Sequence, residues 1–219
     1  MGGFLVLTKI AIYLRVFIGN QLSRQGGVIM VFKVAVEGLP GSGKTTLIRT
    51  MMPELNSLGF TTAMVDVETV GYAPAIRAIA RPFPTGHPVR SLFFWILYLL
   101  EDERVTKEKA DIVFLDRSWS SQVAFDVYGN GIPREILEWV GSRIQNQPDI
   151  TLFLEAPVKT VWQRRKSKSM SDPAFAERVA RGYHELADIL KWIRIDTTQE
   201  TLQVKEQCIR AVLQKLKNL

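Results

Sequence analysis

A continuous apolar run, Val31 to Glu37 (VFKVAVE), leads directly into Gly38-Leu39-Pro40-Gly41-Ser42-Gly43-Lys44-Thr45, and no other stretch constrains the chain as much. The eight residues fit G-x-x-x-x-G-K-[ST] at every fixed position, between a run that reads as a buried parallel strand and a helical stretch from Lys44 to about Leu58. In that setting the backbone N–H groups around Gly38, Gly41, Ser42 and Gly43 converge on phosphate oxygens, with the helix N-terminus behind them. Lys44 is the cation expected to bridge the outer phosphates, and Thr45 offers its hydroxyl to Mg²⁺ with Thr46 beside it. A turn that merely happens to contain glycine and lysine would not sit between a strand and a helix. ATP or GTP, with Mg²⁺, is the expected ligand.

The remainder alternates strand and helix. Gly59 punctuates, Thr61 to Val67 (TTAMVDV) reads as a second strand, and Pro82, Pro84, Gly86 and Pro88 break the chain before a helix from Val89 to about Glu108. The first half of that helix, LFFWILYLL, is nearly all apolar and reads as buried. Asp111 to Leu115 makes a third strand, Pro133 to Gln147 a helix and Ile150 to Glu155 a fourth strand. Phe175, Val179, Tyr183, Leu186 and Leu190 recur at helical spacing ahead of a last strand, Trp192 to Asp196, and a terminal helix from Thr198. The pattern predicts an α/β domain, a three-layer α/β/α P-loop fold with a five-stranded parallel sheet, joined by right-handed crossovers.

Composition narrows the class further. With 47% hydrophobic and 23% charged residues the chain is neither disordered nor fibrous, and 219 residues suit one substantial domain. The single cysteine, Cys208, excludes a disulfide scaffold and a cysteine zinc site and fits a reducing cytoplasm. A formal charge of +6 suits a phosphate-rich ligand as well as nucleic acid. The apolar stretch Phe4 to Ile18 is interrupted by Lys9 and Arg15 and does not read as a transmembrane helix, although it could lie amphipathically on a surface. Domain signals begin only at Val31, with Met30 just before them. Residues 1–29 are therefore read as an N-terminal extension that a mis-assigned start would explain, and 30–219 as the P-loop domain.

Which P-loop chemistry follows is decided downstream. A GTPase wants Asp-x-x-Gly after the third strand, but Asp116 is followed at the third position by Trp119. Asn146-Gln147-Pro148-Asp149 lacks the lysine of a guanine motif and precedes its strand instead of following it. A nucleic-acid motor would carry a larger core and binding surface, so no nucleic-acid partner is expected. Open parallel sheets place ligands outside the carboxyl ends of their strands, so Asp116 and Arg117 should face the P-loop. There Asp116 suits the Mg²⁺ shell and Arg117 has the planar fork of a phosphate clamp. Gln163-Arg164-Arg165-Lys166-Ser167-Lys168, then Ser169 to Pro173, reads as a short basic helical lid near 163–173. Positions Leu39 to Ser42 supply no cation for the transferring group, so Arg164 or Arg165 is the candidate that neutralises it.

Together these residues make the chain resemble the thymidylate kinases and their P-loop nucleotide-kinase relatives over most of Val31 to Leu213. The likeness rests on the P-loop with its preceding Glu37, Asp116-Arg117 followed by Ser121 and Val123-Ala124-Phe125, and Pro148 to Leu152 entering a strand. It extends to Glu177-Arg178-Val179, Gly182-Tyr183 and Ile195-Asp196-Thr197-Thr198. The resemblance implies ATP-dependent phosphorylation of a nucleoside monophosphate, dTMP before others. It implies further that Arg117 holds the acceptor phosphate, that Ser121 and Gln122 line the acceptor site, that the lid arginines cover ATP, and that the loop from Asp196 to Gln199, with Thr197 in it, borders the adenine.

The chain departs from the family's pattern at several points. Pro40 stands where an acidic residue is usual, Val67-Glu68-Thr69 replaces an Arg-Glu-Pro motif, and the Leu92 to Leu97 helix carries no arginine, though Phe93 can still stack on a base. Asp126 takes the place of a glutamine or threonine near the base. A second reading, a kinase of deoxynucleosides or other small hydroxyl compounds, stays open. Such an acceptor must lose a proton, and Asp66 and Glu68 sit near the end of the second strand where a base would act. A nucleotide-binding regulator without catalysis would not need Lys44, Thr45, Asp116 and Arg117 together. A homodimer is left open.

Overall fold

The structure, a computed structural model, describes residues 31–67, 71–135, 141–164 and 172–218. The N-terminal extension, Glu68, Arg165 and most of the expected lid lie outside the described residues. Five strands form one parallel sheet: β1 (Phe32–Glu37), β2 (Thr62–Asp66), β3 (Ile112–Asp116), β4 (Ile150–Glu155) and β5 (Ile193–Asp196), in the order β2-β3-β1-β4-β5. This is the doubly wound three-layer arrangement that the alternation predicts.

Two faces of the sheet are buried, which is why its central strands are apolar at successive positions. On one face Val34, Val36, Ile112, Phe114, Leu152 and Leu154 meet Ile48, Met51 and Leu55 of α1 (Lys44–Ser57) and Ile209, Val212 and Leu213 of the terminal helix, α7 (Thr201–Leu216). The alternate residues Ala35, Val113 and Leu115 point to the opposite face, as the period of two requires. There lie α3 (Pro88–Lys107), α4 (Trp119–Val123) with its π-helical continuation Ala124–Gly129, and α6 (Pro173–Ile189), packed through Trp95, Val123, Phe175, Val179 and Tyr183. The described residues also form α2 (Ala73–Ala80) and α5 (Val158–Arg164).

Three sequence expectations need correction. The LFFWILYLL run is not buried throughout: Trp95, Leu97 and Tyr98 are, whereas Leu92, Ile96 and Leu99 are 46%, 42% and 36% exposed. The sheet covers only one side of α3, and spacings of four and three put these three side chains on the other. The helix expected to reach Gln147 has ended by Ser142, because the N–H groups of Gln145 and Asn146 donate to the Asp102 carboxylate at 3.1 and 2.7 Å instead of to helix carbonyls. The segment between β2 and the proline-rich break, unassigned from sequence, forms α2 with Pro74 in its first turn.

Candidate active site

The P-loop leaves β1 in a conformation that only glycine tolerates at its first position. Gly38 has φ 140, and a β-carbon there would stand 2.7 Å from the Leu154 carbonyl oxygen on the neighbouring strand. The chain then wraps around the Lys44 ammonium, which donates to the carbonyls of Gly38 and Leu39 at 3.1 and 2.9 Å and lies 3.5 Å from Ser42 Oγ. Lys44 is 6% exposed, and burial together with the nearby Arg117 guanidinium pulls its pKa well below the usual lysine range. Helix α1 begins at Gly43 without a side-chain cap, so its first N–H groups remain available as donors at the loop.

Strand β3 delivers the opposing residues. Its register pairs Asp116 with Val36 of β1 and with Asp66 of β2, so Asp116 ends beside the root of the P-loop. Thr45 Oγ1 donates to the Asp116 carboxylate. A hydroxyl and a carboxylate from two elements are the protein ligands that Mg²⁺ takes when phosphates and waters complete its shell. Among the described residues no group of three or more His, Cys, Asp or Glu could hold a metal ion. The uncapped helix start and the buried ammonium likewise suit a triphosphate.

Arg117 bends back toward the loop. Its φ of 79 is a left-handed conformation that costs an arginine on the order of 1 kcal/mol. Several bonds hold it there: its N–H donates to Val36 O, and Nη1 donates to Gly38 O at 3.1 Å, Ser121 Oγ at 3.2 Å and Tyr183 OH at 2.9 Å. The guanidinium also lies 5.9 Å from the centre of the Phe125 ring. Burial disfavours its charge, but Tyr183, Tyr98, Glu37 and Asp116 outweigh that and raise its pKa, so it is a permanent cation.

Beneath it, Glu37 accepts from both the N–H and the hydroxyl of Ser118 at 2.7 Å and from the Ser121 hydroxyl. Burial raises its pKa, and the Ser121 and Ser118 hydrogen bonds and the Arg117 charge pull the other way. Ser121, expected as a substrate contact, is 2% exposed and engaged by Glu37, Arg117 and Tyr183, so it belongs to the support of Arg117. Helical spacing places Tyr183 in the core of an amphipathic helix, and the family likeness includes Gly182-Tyr183 without giving the hydroxyl a role. Its hydroxyl reaches the site because Gly182 lets α6 approach the π-helical turn, where a β-carbon would meet the Tyr128 ring at 2.6 Å.

The other expected residues are dispersed. Gln122 is half-buried and its Nε2 donates to Asp126 at 2.8 Å. Asp126, expected near the base, is internal at 2% exposure, and burial raises its pKa. Phe93 is half-buried, with its ring centre 6.2 Å from that of Phe83. Thr46 is exposed on α1. Thr197 follows β5, its N–H and hydroxyl both bonded to Glu155 O at 2.9 Å, and so stands at the same sheet edge as the P-loop. Arg164 is exposed at the end of α5. Glu68 and Arg165 lie outside the described residues.

The family model described as thymidylate kinase matches residues 36–208 of this chain. The chain is similar to a thymidylate kinase of Synechococcus sp. (strain CC9605), 28% identical over 207 residues, which span 84% of this chain and 97% of that one. A thymidylate kinase of Desulfovibrio desulfuricans is 28% identical over 204 residues (82% and 94%), and one of Halothermothrix orenii 24% identical over 213 (84% and 95%).

Proposed function

The chain belongs to the thymidylate kinase family, and on that footing we propose that it transfers the γ-phosphoryl group of ATP to dTMP, yielding ADP and dTDP. The observation that carries the acceptor class is the position of Arg117. A half-buried, permanently charged fork is held 3.1 Å from the Gly38 carbonyl of the P-loop, where a second phosphate can be apposed to the first.

Phosphoryl transfer is accelerated mainly by positioning and by neutralising charge. Lys44 supplies one cation, held inside the loop by two of its carbonyls until phosphate oxygens take their place. Arg117 clamps the acceptor phosphate from the opposite side, itself oriented by Tyr183 and Ser121. The monophosphate is already ionised, so no side chain has to abstract a proton. Thr45 and Asp116 would hold Mg²⁺, which supplies charge neutralisation on the phosphate oxygens when bound. Arg164 or Arg165 covers the transferring group, and Thr197 borders the adenine.

A nucleoside acceptor is the second reading, favoured by Asp66 standing in register with Asp116 at the strand ends. ATP consumption measured over nucleosides, nucleoside monophosphates and small alcohols separates the two: turnover with dTMP supports the proposal, and turnover confined to thymidine or an alcohol overturns it. Among the described residues no helix is long and apolar enough to cross a membrane. The reading places the protein in the cytoplasm as a homodimer, supported by the outward apolar stripe of α3, Leu92, Ile96 and Leu99.

A further inference from the structure

Glu37 closes β1 with its side chain 0% exposed, and no step of the proposed transfer uses it. Its hydrogen bonds among the described residues all come from two serines. Oε1 accepts from the N–H and from the hydroxyl of Ser118, each at 2.7 Å, and Oε2 accepts from the hydroxyl of Ser121. Beyond Ser121 stand Tyr183, whose hydroxyl oxygen lies 2.8 Å from Ser121 Oγ, and Arg117, whose Nη1 reaches Ser121 Oγ at 3.2 Å and Tyr183 OH at 2.9 Å.

The direction of each bond follows from the carboxylate. It can only accept, so the single hydroxyl hydrogen of Ser121 goes to Glu37. Ser121 Oγ then only accepts from its other neighbours, which obliges Tyr183 to direct its own hydrogen to Ser121 and to meet Arg117 with a lone pair. The result is a one-way chain, Arg117 to Tyr183 to Ser121 to Glu37, with a cation at one end and an anion at the other. Burial disfavours that anion, and the serine hydrogen bonds and the Arg117 charge oppose the effect. Only the ionised form gives every hydrogen of the chain an acceptor. A proton on Oε2 would take Ser121 Oγ, turn the serine hydrogen onto Tyr183 and leave the Tyr183 hydrogen with no acceptor in the chain.

We propose that Glu37 is a positioning residue for the acceptor: its negative charge sets the direction of this chain, and the chain holds Arg117 ready for the acceptor phosphate. The side-chain hydrogen bonds that Arg117 makes among the described residues all use Nη1, so the chain and the Gly38 carbonyl grip one corner of the fork and leave Nε and Nη2 for a ligand. This rests on the reading of Arg117 as the clamp of a monophosphate acceptor.

Glu37→Gln is the informative variant, because its orientation is dictated in advance. The Ser118 N–H cannot be reversed, so the amide oxygen must face Ser118 and the NH₂ must face Ser121. The contacts to Ser118 survive, whereas Ser121 now receives a donor and its hydrogen turns to Tyr183. Tyr183 then has two donors aimed at its oxygen and a hydrogen without its former acceptor, beside an arginine that can only donate.

The test is steady-state kinetics of wild type, Glu37→Gln, Tyr183→Phe and the double variant, each substrate varied in turn. Glu37→Gln is expected to raise the KM for dTMP at least tenfold and to leave the KM for ATP unchanged. Because both changes break one chain, the double variant should stay within about threefold of Glu37→Gln alone. A merely structural Glu37 would lower Tm with both KM values unchanged, or would raise both together, and either result overturns the proposal. So does a double variant whose KM is the product of the two separate effects. Should Glu37→Gln fail to fold, Ser121→Ala cuts the chain while leaving Glu37 on Ser118, and an unchanged KM for dTMP in that variant overturns the proposal as well. A wild type that prefers another nucleoside monophosphate sinks the dTMP assignment and leaves this inference to be upheld or overturned by the same ratios with that acceptor. One that turns over only unphosphorylated acceptors sinks both.

Discussion

Arg117 donates through Nη1 to the hydroxyl of Tyr183 at 2.9 Å, tying the end of β3 to α6 across 66 residues of sequence. The bond offsets the left-handed backbone of Arg117, whose φ is 79, and keeps the guanidinium turned to the P-loop. A hydrogen bond to a charged group contributes about 1.5–3 kcal/mol. Tyr183→Phe keeps the ring in its core position and removes only the hydroxyl. The expected outcome is a rise in acceptor KM of roughly tenfold, in line with that bond, with the KM for ATP unchanged. Steady-state kinetics with each substrate varied in turn checks it, and equal effects on both substrates would assign Tyr183 to packing alone.

Lys44→Ala should abolish transfer without unfolding the chain. The ammonium is buried against two carbonyls with its pKa drawn well below the usual range by burial and by Arg117, so the folded apoprotein gains little from its charge. A loss of turnover of roughly 10² or more, with Tm at or above that of wild type, is the expected pair of results. Normal turnover in the folded variant would remove Lys44 from the phosphate site.

Much of this arrangement was legible in the sequence, for identifiable reasons. The P-loop announces itself because Gly38 and Lys44 answer separate backbone and charge requirements at fixed spacing, and the strands do so because a parallel sheet covered on both faces needs unbroken apolar runs. The same uniformity hid the orientation of α3: in LFFWILYLL no polar residue marks which side meets solvent, so Leu92, Ile96 and Leu99 could not be told from Trp95 and Leu97. Tyr183 sits in an apolar period and gives no sign that its hydroxyl, not its ring, faces Arg117. Asp126 was legible as a departure but not as an internal acceptor. Gln122 and Asn130 flank it by four residues on its own helical stretch, but Trp95 and Ser91 reach it from α3 only through the tertiary fold.

The outward stripe of α3 gives an assembly prediction. Leu92, Ile96 and Leu99 are 46%, 42% and 36% exposed at spacings of four and three, and on the adjoining α2 Ile79 is 55% exposed. Apolar side chains gathered on one helix face favour a covered surface. Wild type should sediment as a dimer and Ile96→Glu/Leu99→Glu as a monomer, since two carboxylates buried across a symmetry axis would repel. A monomeric wild type at tens of micromolar would refute it.

Glu101 makes the chain's stability depend on pH in a defined direction. The side chain is 4% exposed on α3, and its Oε1 has no hydrogen-bond partner among the described residues. Burial, and after it the charges of Asp66, Glu37 and Asp116, raises its pKa well above the model-compound value of 4.5. The folded state therefore holds a proton that the unfolded chain releases near 4.5, and the group's contribution is fully present below that pH. It is lost as pH rises through the raised folded value, where ionisation leaves an unpaired buried charge. Glu101→Gln keeps the shape and cannot ionise. The expected result is that Tm of wild type falls relative to the variant as pH rises from 5 to 9, the two converging at the acid end. Parallel Tm curves across that range would mean that Glu101 is paired and charged in the fold.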